Sequence, residues 1–296
     1  MSGPVFALLS ALSYAFNSIF LRRAVIRVSD ATIGTLISVP MAVPFMIVVL
    51  VLTGQLGSIF EVSWQSYLWL SLAGILHYVI GRALYYSGVQ LVGANVTGIL
   101  WRVNAPVTVI LGISLLGEPF SWQLATGVLL IVIGITAAGL NPQMFHRGKG
   151  PFSGIPPKAF VFAFGAGVSW GITPILVKIG LQGVGSPAAG VFISFLAASL
   201  VLSTSLLRRG RRTSLAGMTG RTAGLFFGAG LCSCIANLMR YIALSLAPAS
   251  VVSPLNSIAP IFLLALSYLF NRELEIFSKP VIVGVIAVVI GSILLV

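Results

Sequence analysis

The sequence predicts an all-α integral membrane protein of ten transmembrane helices, arranged as two inverted five-helix repeats. Three observations carry that expectation. The 296 residues are 58% hydrophobic and only 7% charged, against roughly 45–50% and about 25% in an ordinary soluble domain. Ten stretches are apolar over about the 20 residues that a bilayer crossing requires: 4–22, 31–53, 64–91, 94–116, 121–140, 158–180, 187–207, 222–246, 249–270 and 277–296. Finally, short motifs of the first half recur in the same order in the second.

The spans can be taken in order. Span one starts at Pro4 with no basic segment before it, so it reads as a retained span and not as a cleaved signal. Spans three and four are separated only by Val92-Gly93, and spans eight and nine by Leu246-Ala247-Pro248, so each pair forms a hairpin. The longest polar stretches are 141–157 and 208–221. The first divides the chain into a first repeat, 1–141, a basic linker, 142–157, and a second repeat, 158–296. Pro40, Pro44, Pro106, Pro174, Pro254 and Pro260 fall within spans, where each frees a carbonyl and permits a kink. Pro106 and Pro260 are the expected hinge or kink points. Gly167/Gly171 and Gly224/Gly228 have the spacing of close helix contacts. Trp64, Trp69 and Trp122 read as anchors in the interfacial aromatic belt. Cys232 and Cys234 point to different helix faces and are expected to be packing residues, not a disulfide.

The repeat rests on particular residues. Ser13-Tyr14-Ala15 in span one matches Ser169-Trp170-Gly171 in span six. Ala105-Pro106 in span four matches Ala259-Pro260 in span nine, and Glu118 matches Glu273. The run GVLLIVIG from Gly127 matches GVIAVVIG from Gly284. Five spans per half is an odd number, so the second half inserts upside down, and such repeats place a substrate site near the midplane.

Net charge is +12. The basic residues occupy short loops without interleaved aromatics, so a nucleic-acid partner is not expected. Arg22, Arg23, Arg27, Arg147, Lys149, Arg272 and the arginines of 208–212 fall on one side, and Lys178 alone falls on the other. The positive-inside rule makes the basic side cytoplasmic and puts both termini outside.

Three arginines, Arg82, Arg102 and Arg240, lie inside apolar spans, whereas the five acids Asp30, Glu61, Glu118, Glu273 and Glu275 sit at span ends. An unpaired guanidinium in hydrocarbon costs at least ~2.5–3.5 kcal/mol on insertion scales and stays charged in any plausible surroundings. Such side chains either snorkel to an interface or line a wet cavity whose counter-charge is an anion. Arg82 and Arg102 lie roughly 13 and 12 Å from the cytoplasmic end of one hairpin, which suggests a shared pocket. Arg240 lies about 9 Å from the outer end, on the far side of the midplane. Tyr78, Arg82, Tyr85 and Tyr86 share a helical face. Ser233, Asn237, Arg240 and Tyr241 form a polar stripe on span eight. Asn17, Trp101, Asn104, Trp170 and Asn256 lie at levels that could complete the cavity; ordinary packing or interhelical hydrogen bonding is the competing explanation for each. His77, the lone histidine within a span, could couple protons, but a neutral packing role is the preferred reading. No motif for catalysis, nucleotide hydrolysis, a cofactor or a metal is present, so no catalytic residue, metal ligand or cofactor is expected.

Ten spans in two fives, a Ser-aromatic-small motif opening each half, and Ala-Pro followed by Glu about a dozen residues later resemble the EamA-type drug/metabolite transporter superfamily. The likeness covers nearly the whole chain. It implies an alternating-access carrier, often an exporter of amino acids or other metabolites, with a cavity lined by spans one, three, four, six, eight and nine. Family members commonly have a basic loop after span two and cytoplasmic termini; here 53–64 carries no Lys or Arg, and the local charges decide the orientation. The expected activity is secondary transport of a small organic solute bearing a carboxylate or phosphate, anionic or zwitterionic, by an exporter or exchanger in the cell membrane. A flippase for a lipid-linked head group is the first alternative and a membrane enzyme acting on a phosphorylated lipid the second. Both monomer and homodimer remain open.

The loop charges can be tested. With Cys232 and Cys234 removed, cysteines placed at Gly57 and Gly210 are treated with an impermeant thiol reagent in intact cells. Labelling is expected at 57 and not at 210; the reverse pattern inverts the orientation.

Overall fold

The computed structural model describes residues 2–25, 27–28, 31–139, 156–207, 215, 217–270 and 279–295. Outside them lie most of the linker expected at 142–157, His146, Arg147, Lys149, the arginines of 208–212, Arg272, Glu273 and Glu275. Among the described residues every regular element is helical. Six stretches are long and apolar enough to cross a membrane: Gly3–Leu21, Thr35–Leu52, Trp64–Leu91, Pro157–Leu181, Pro187–Leu207 and Gly220–Leu246. Four shorter apolar stretches, Trp101–Leu116, Trp122–Gly134, Ala249–Leu263 and Ile286–Leu295, accompany them.

The helices are α1 (Gly3–Val25), α2 (Thr35–Ser38), α3 (Ala42–Leu52), α4 (Trp64–Gly74), α5 (Arg82–Leu100), α6 (Asn104–Leu116), α7 (Trp122–Gly139), α8 (Pro157–Leu181), α9 (Pro187–Thr204), α10 (Gly220–Leu246), α11 (Ala249–Asn256), α12 (Ala259–Phe270) and α13 (Lys279–Leu295). Local chemistry sets several ends. Ser63, Ser186 and Thr219 cap α4, α9 and α10 by accepting from Ser66, Ala188 and Thr222 N–H groups. Gly117 ends α6 at φ 64°, a left-handed position that suits glycine.

Span three carries a feature absent from the sequence reading. Between α4 and α5 the chain winds as a π-helix over Ile75–Gly81. Such segments are rare and concentrate at functional sites. α5 then keeps helical backbone on both sides of a reversal. A Cβ on Gly88 would stand 3.0 Å from the Thr97 side chain, although nine residues of straight helix span about 13.5 Å. The hairpin expected around Val92-Gly93 is therefore present.

Helix breaks fall beside three of the six span prolines, while Pro44 and Pro254 lie within α3 and α11. α2 and α3 part at Val39–Met41, around Pro40. A 3-10 turn, Trp101–Val103, precedes α6, in which Pro106 is the third residue. Ser257 and Ile258 separate α11 from α12, in which Pro260 is the second. Proline near a helix start forfeits no hydrogen bond that could form, so Pro106 and Pro260 begin the second segment of each broken span and do not kink its interior. Pro174, by contrast, lies inside the unbroken α8.

Glycines bring the two halves together. A Cβ on Gly127 would lie 3.0 Å from the Gly291 carbonyl oxygen, and one on Gly134 2.5 Å from that of Gly284. α7 and α13 therefore run antiparallel in direct backbone contact. The pairing is self-complementary, because Gly127 is the repeat counterpart of Gly284 and Gly134 that of Gly291. Gly167 and Gly171 abut the backbone of Trp101 and Asn104, as their spacing suggested. Gly224 differs, since nothing lies within 4 Å of its Cβ position. Where helices face the same apolar solvent, such close packing replaces the hydrophobic effect as the adhesive.

Trp64 and Trp122 are largely exposed at helix starts, whereas Trp69 is half-buried. Cys232 and Cys234 are free thiols.

Gly134→Val should push α13 away and cost about 1–3 kcal/mol, as overpacking does. Gly224→Ala should be neutral or slightly stabilising. The melting temperatures of the two purified variants test this, and equal values would exclude a tight α7–α13 crossing.

Candidate functional site

A cavity of about 260 Å³ lies among residues of both halves. Tyr14, Asn17, Ser18 and Leu21 enter it from α1 at i, i+3, i+4 and i+7, a single helical face. The π-helix and α5 supply His77, Arg82, Tyr85 and Tyr86; the 3-10 turn and α6 add Trp101 and Asn104. From the second half come Trp170 of α8, Arg240 of α10, and Ser253 and Asn256 of α11. Tyr14 and Trp170, counterparts in the Ser-aromatic-small repeat, both face this space.

Arg82 is held by hydroxyls. Nη1 donates to Ser38 Oγ at 3.2 Å and Nη2 to Ser233 Oγ at 3.3 Å, while the guanidinium carbon lies 5.5 Å from the centre of the Tyr78 ring. These contacts aim the group without neutralising it. Arg240 is 5% exposed and its Nη2 has no partner. Among the described residues neither arginine meets a carboxylate.

The aromatic wall is built around Trp170. Its indole donates to the His77 carbonyl at 3.0 Å. Its ring meets Trp101 edge to face at 5.0 Å and Tyr85 at 5.5 Å. Gly81, the last residue of the π-helix, makes room for it, because a Cβ there would stand 2.5 Å from the indole nitrogen. The Thr108 hydroxyl sits at the junction of three helices, 2.9 and 2.8 Å from the Asn104 and Gly171 carbonyls, either of which can accept its one proton, and 3.1 Å from Ser253 Oγ.

One end of the molecule is closed by Glu118. Its carboxylate accepts from the N–H groups of Ala249 at 2.6 Å and Ser250 at 2.9 Å, capping α11. Lys178 Nζ lies 3.6 Å from the same carboxylate and donates to the Ala247 carbonyl at 2.6 Å. At this end Gly3 also abuts Ala247. Glu118, Lys178 and Ala247 are not among the residues that line the cavity.

The expected site residues do not all meet in this cavity. Arg82 shares its cavity with Arg240 and not with Arg102. The expected depths of Arg82 and Arg240 differ by less than two extended side chains can bridge. Trp101 and Arg102 are neighbours on a 3-10 turn; Trp101 meets Trp170 and lines the cavity, whereas Arg102 is not among the lining residues and its buried Nε has no partner among the described residues. Tyr78 is buried and stacks on Phe195 at 4.3 Å, outside the lining. Asn237 is buried and donates to the Ser233 carbonyl, so it too lies outside. Asn17, Tyr86, Trp101, Trp170 and Asn256 do line the cavity, and Asn17 also donates to the Ala229 carbonyl. His77, expected to pack, lines it as well. Ser18, Ser38, Ser253 and Ser257 were missed; only the spacing of Ser253, Asn256 and Ser257, at i, i+3 and i+4, could have marked them.

The EamA-like transporter family model matches residues 1–140 and 157–296, one match to each half. The chain belongs to the EamA-like transporter family. It is thus a multi-pass membrane transporter acting on a small-molecule substrate. A solved structure titled only "Crystal structure of protein" superposes with a TM-score of 0.80 at 14% identity, covering 99% of this chain and 95% of the other, so the two share a fold. No curated protein matches the sequence.

Glu118→Ala would leave two buried N–H groups of α11 and the Lys178 ammonium without their acceptor. A loss of about 1–3 kcal/mol per orphaned group is expected, seen as a lowered melting temperature; an unchanged value would show that Glu118 does not hold this end closed.

Proposed function

We propose that the protein crosses the membrane ten times in two inverted fives and carries a small organic anion by alternating access. The observation that supports this most directly is the pair Arg82 and Arg240 in one cavity without a carboxylate beside either among the described residues. A guanidinium fork fits carboxylate and phosphate oxygens, and an anion between the two offsets the expense of keeping both charged away from water. The six long and four shorter apolar helical stretches support the ten crossings. The self-complementary Gly127–Gly291 and Gly134–Gly284 contacts support the inversion.

The basic loops are placed in the cytoplasm and both termini outside. In this orientation the Glu118–Lys178 contact lies on the outer side. Outward movement of an anion from a negative interior gains ~2.3 kcal/mol per charge per 100 mV. No coupling ion is then required, and export or exchange is the favoured mode. The Ala-Pro breaks at Pro106 and Pro260 are the positions at which spans four and nine would bend between states. Arg102 is assigned no contact with the solute.

In binding measurements with organic anions, Arg82→Gln and Arg240→Gln should each lose about ten- to 150-fold in affinity, the 1.5–3 kcal/mol of one charge-assisted contact. Arg82→Lys should recover only part, because a point charge cannot make the forked contact. Arg102→Gln should bind like the parent. Parental affinity in both Arg82→Gln and Arg240→Gln would remove the anion reading and leave a metabolite carrier of open substrate class.

A further inference from the structure

We infer that the solute is polyhydroxylated: a sugar acid or comparable hydroxy acid, with its anionic group at Arg82 and Arg240 and its hydroxyls on the remaining polar wall. The inference rests on the anion reading above and adds to it the chemistry of the rest of the solute.

Buried polar atoms in folded proteins nearly always have partners. Among the described residues, five that line this cavity each carry a buried polar atom with no partner: Tyr14 Oη, His77 Nδ1, Asn104 Oδ1, Arg240 Nη2 and Asn256 Oδ1. They come from α1, the π-helix, α6, α10 and α11, so they surround the space and do not cluster on one side. Their chemistry is mixed. A guanidinium only donates, an amide oxygen only accepts, a phenol does both, and an imidazole nitrogen does either according to tautomer.

Few solute groups satisfy such a set. A carboxylate accepts only; it answers the arginines and leaves the amide oxygens unmet. An ammonium donates only, and it adds a third positive charge beside two guanidiniums. A hydroxyl is neutral, donates and accepts. It also serves either end of an asparagine amide, whose oxygen and nitrogen exchange places on a flip.

The apolar wall fits the same solute. Trp101, Trp170 and Tyr85 stand against one another at 5.0 and 5.5 Å and offer ring surface for the C–H face of a sugar. The volume, about 260 Å³, falls below the roughly 300–1,000 Å³ of pockets for drug-sized ligands. It suits one sugar unit better than a disaccharide.

The test uses the purified full-length chain and three probes. Galacturonate carries ring, charge and hydroxyls; cyclohexanecarboxylate carries ring and charge; galactose carries ring and hydroxyls. Galacturonate should bind at least about tenfold more tightly than either of the others, the effect of one buried partner gained. Asn104→Leu and Asn256→Leu should bring the galacturonate-to-cyclohexanecarboxylate affinity ratio toward one. Asn256→Ser, which keeps a hydrogen-bonding group, should restore part of the ratio, so misfolding cannot mimic the result. If the five groups are met by water alone, galacturonate and cyclohexanecarboxylate bind equally and the inference is overturned. Absence of galacturonate binding overturns it as well. Should cyclohexanecarboxylate bind as well as galacturonate and both weaken in Arg82→Gln, the hydroxyl inference fails and the anion reading stands. Should galactose match galacturonate with no effect of Arg82→Gln, the anion reading itself fails.

Discussion

Two like charges held in one membrane-embedded space, without an opposite charge fixed beside them among the described residues, form the constraint to which the surrounding structure answers. Ser38 and Ser233 bind Arg82 through neutral hydroxyls, so the guanidinium is oriented but not neutralised. A carboxylate in their place would make a permanent ion pair and leave nothing for a solute to complete. Gly81 and the π-helix make room for Trp170, whose indole ties α8 to the carbonyl of His77. Thr108 fixes the junction of α6, α8 and α11 below them. Aromatic rings and tethered helices thus frame the charged pair without quenching it.

The one described acid that is deeply buried, Glu118, is fully engaged elsewhere. Two N–H groups at the start of α11 and the Lys178 ammonium share its carboxylate. A carboxylate at a helix N-terminus is favoured by both the free N–H groups and the helix dipole. The same carboxylate lies beside Lys178, in the last turn of α8, the one basic residue that the sequence assigns to that side. The asymmetry of loop charge is therefore sharper than a simple count of residues conveys.

Much of the fold was legible because it is written in composition and repetition. Apolar run lengths located the helices, and the shared Gly-to-Gly spacing of the two C-terminal runs foreshadowed the α7–α13 crossing. The site was legible only in part. Arg82 and Arg240 stood out as ionised groups in apolar runs, but nothing local distinguished them from Arg102. What separates Arg102 is the 3-10 turn it occupies, and a change from 3.6 to 3.0 residues per turn leaves no mark in hydropathy. The repeat could not help either. On the Ala-Pro offset, Asn256 is the counterpart of Arg102, yet Asn256 lines the cavity and Arg102 does not. His77 was read as packing because a single histidine in a span carries no pattern. Its role in the wall depends on the π-helix, which sequence periodicity does not encode.

That π-helix lets span three absorb a kind of change the other spans would not. Ile75–Gly81 winds at more residues per turn than its flanks, so it sets the rotational phase between α4 and α5. Removing one residue there would let the segment rewind as ordinary α-helix with no loss of hydropathy or length sufficient to prevent spanning. Because each π-turn holds about one residue more than an α-turn, the rewinding would make up most of the rotation lost with that residue and leave Arg82, Tyr85 and Tyr86 close to the cavity. An added residue wound as α-helix would instead turn them by about 100°. Within these seven positions span three should therefore accept the loss of one residue more readily than the gain of one, and more readily than an unbroken α-helical span would.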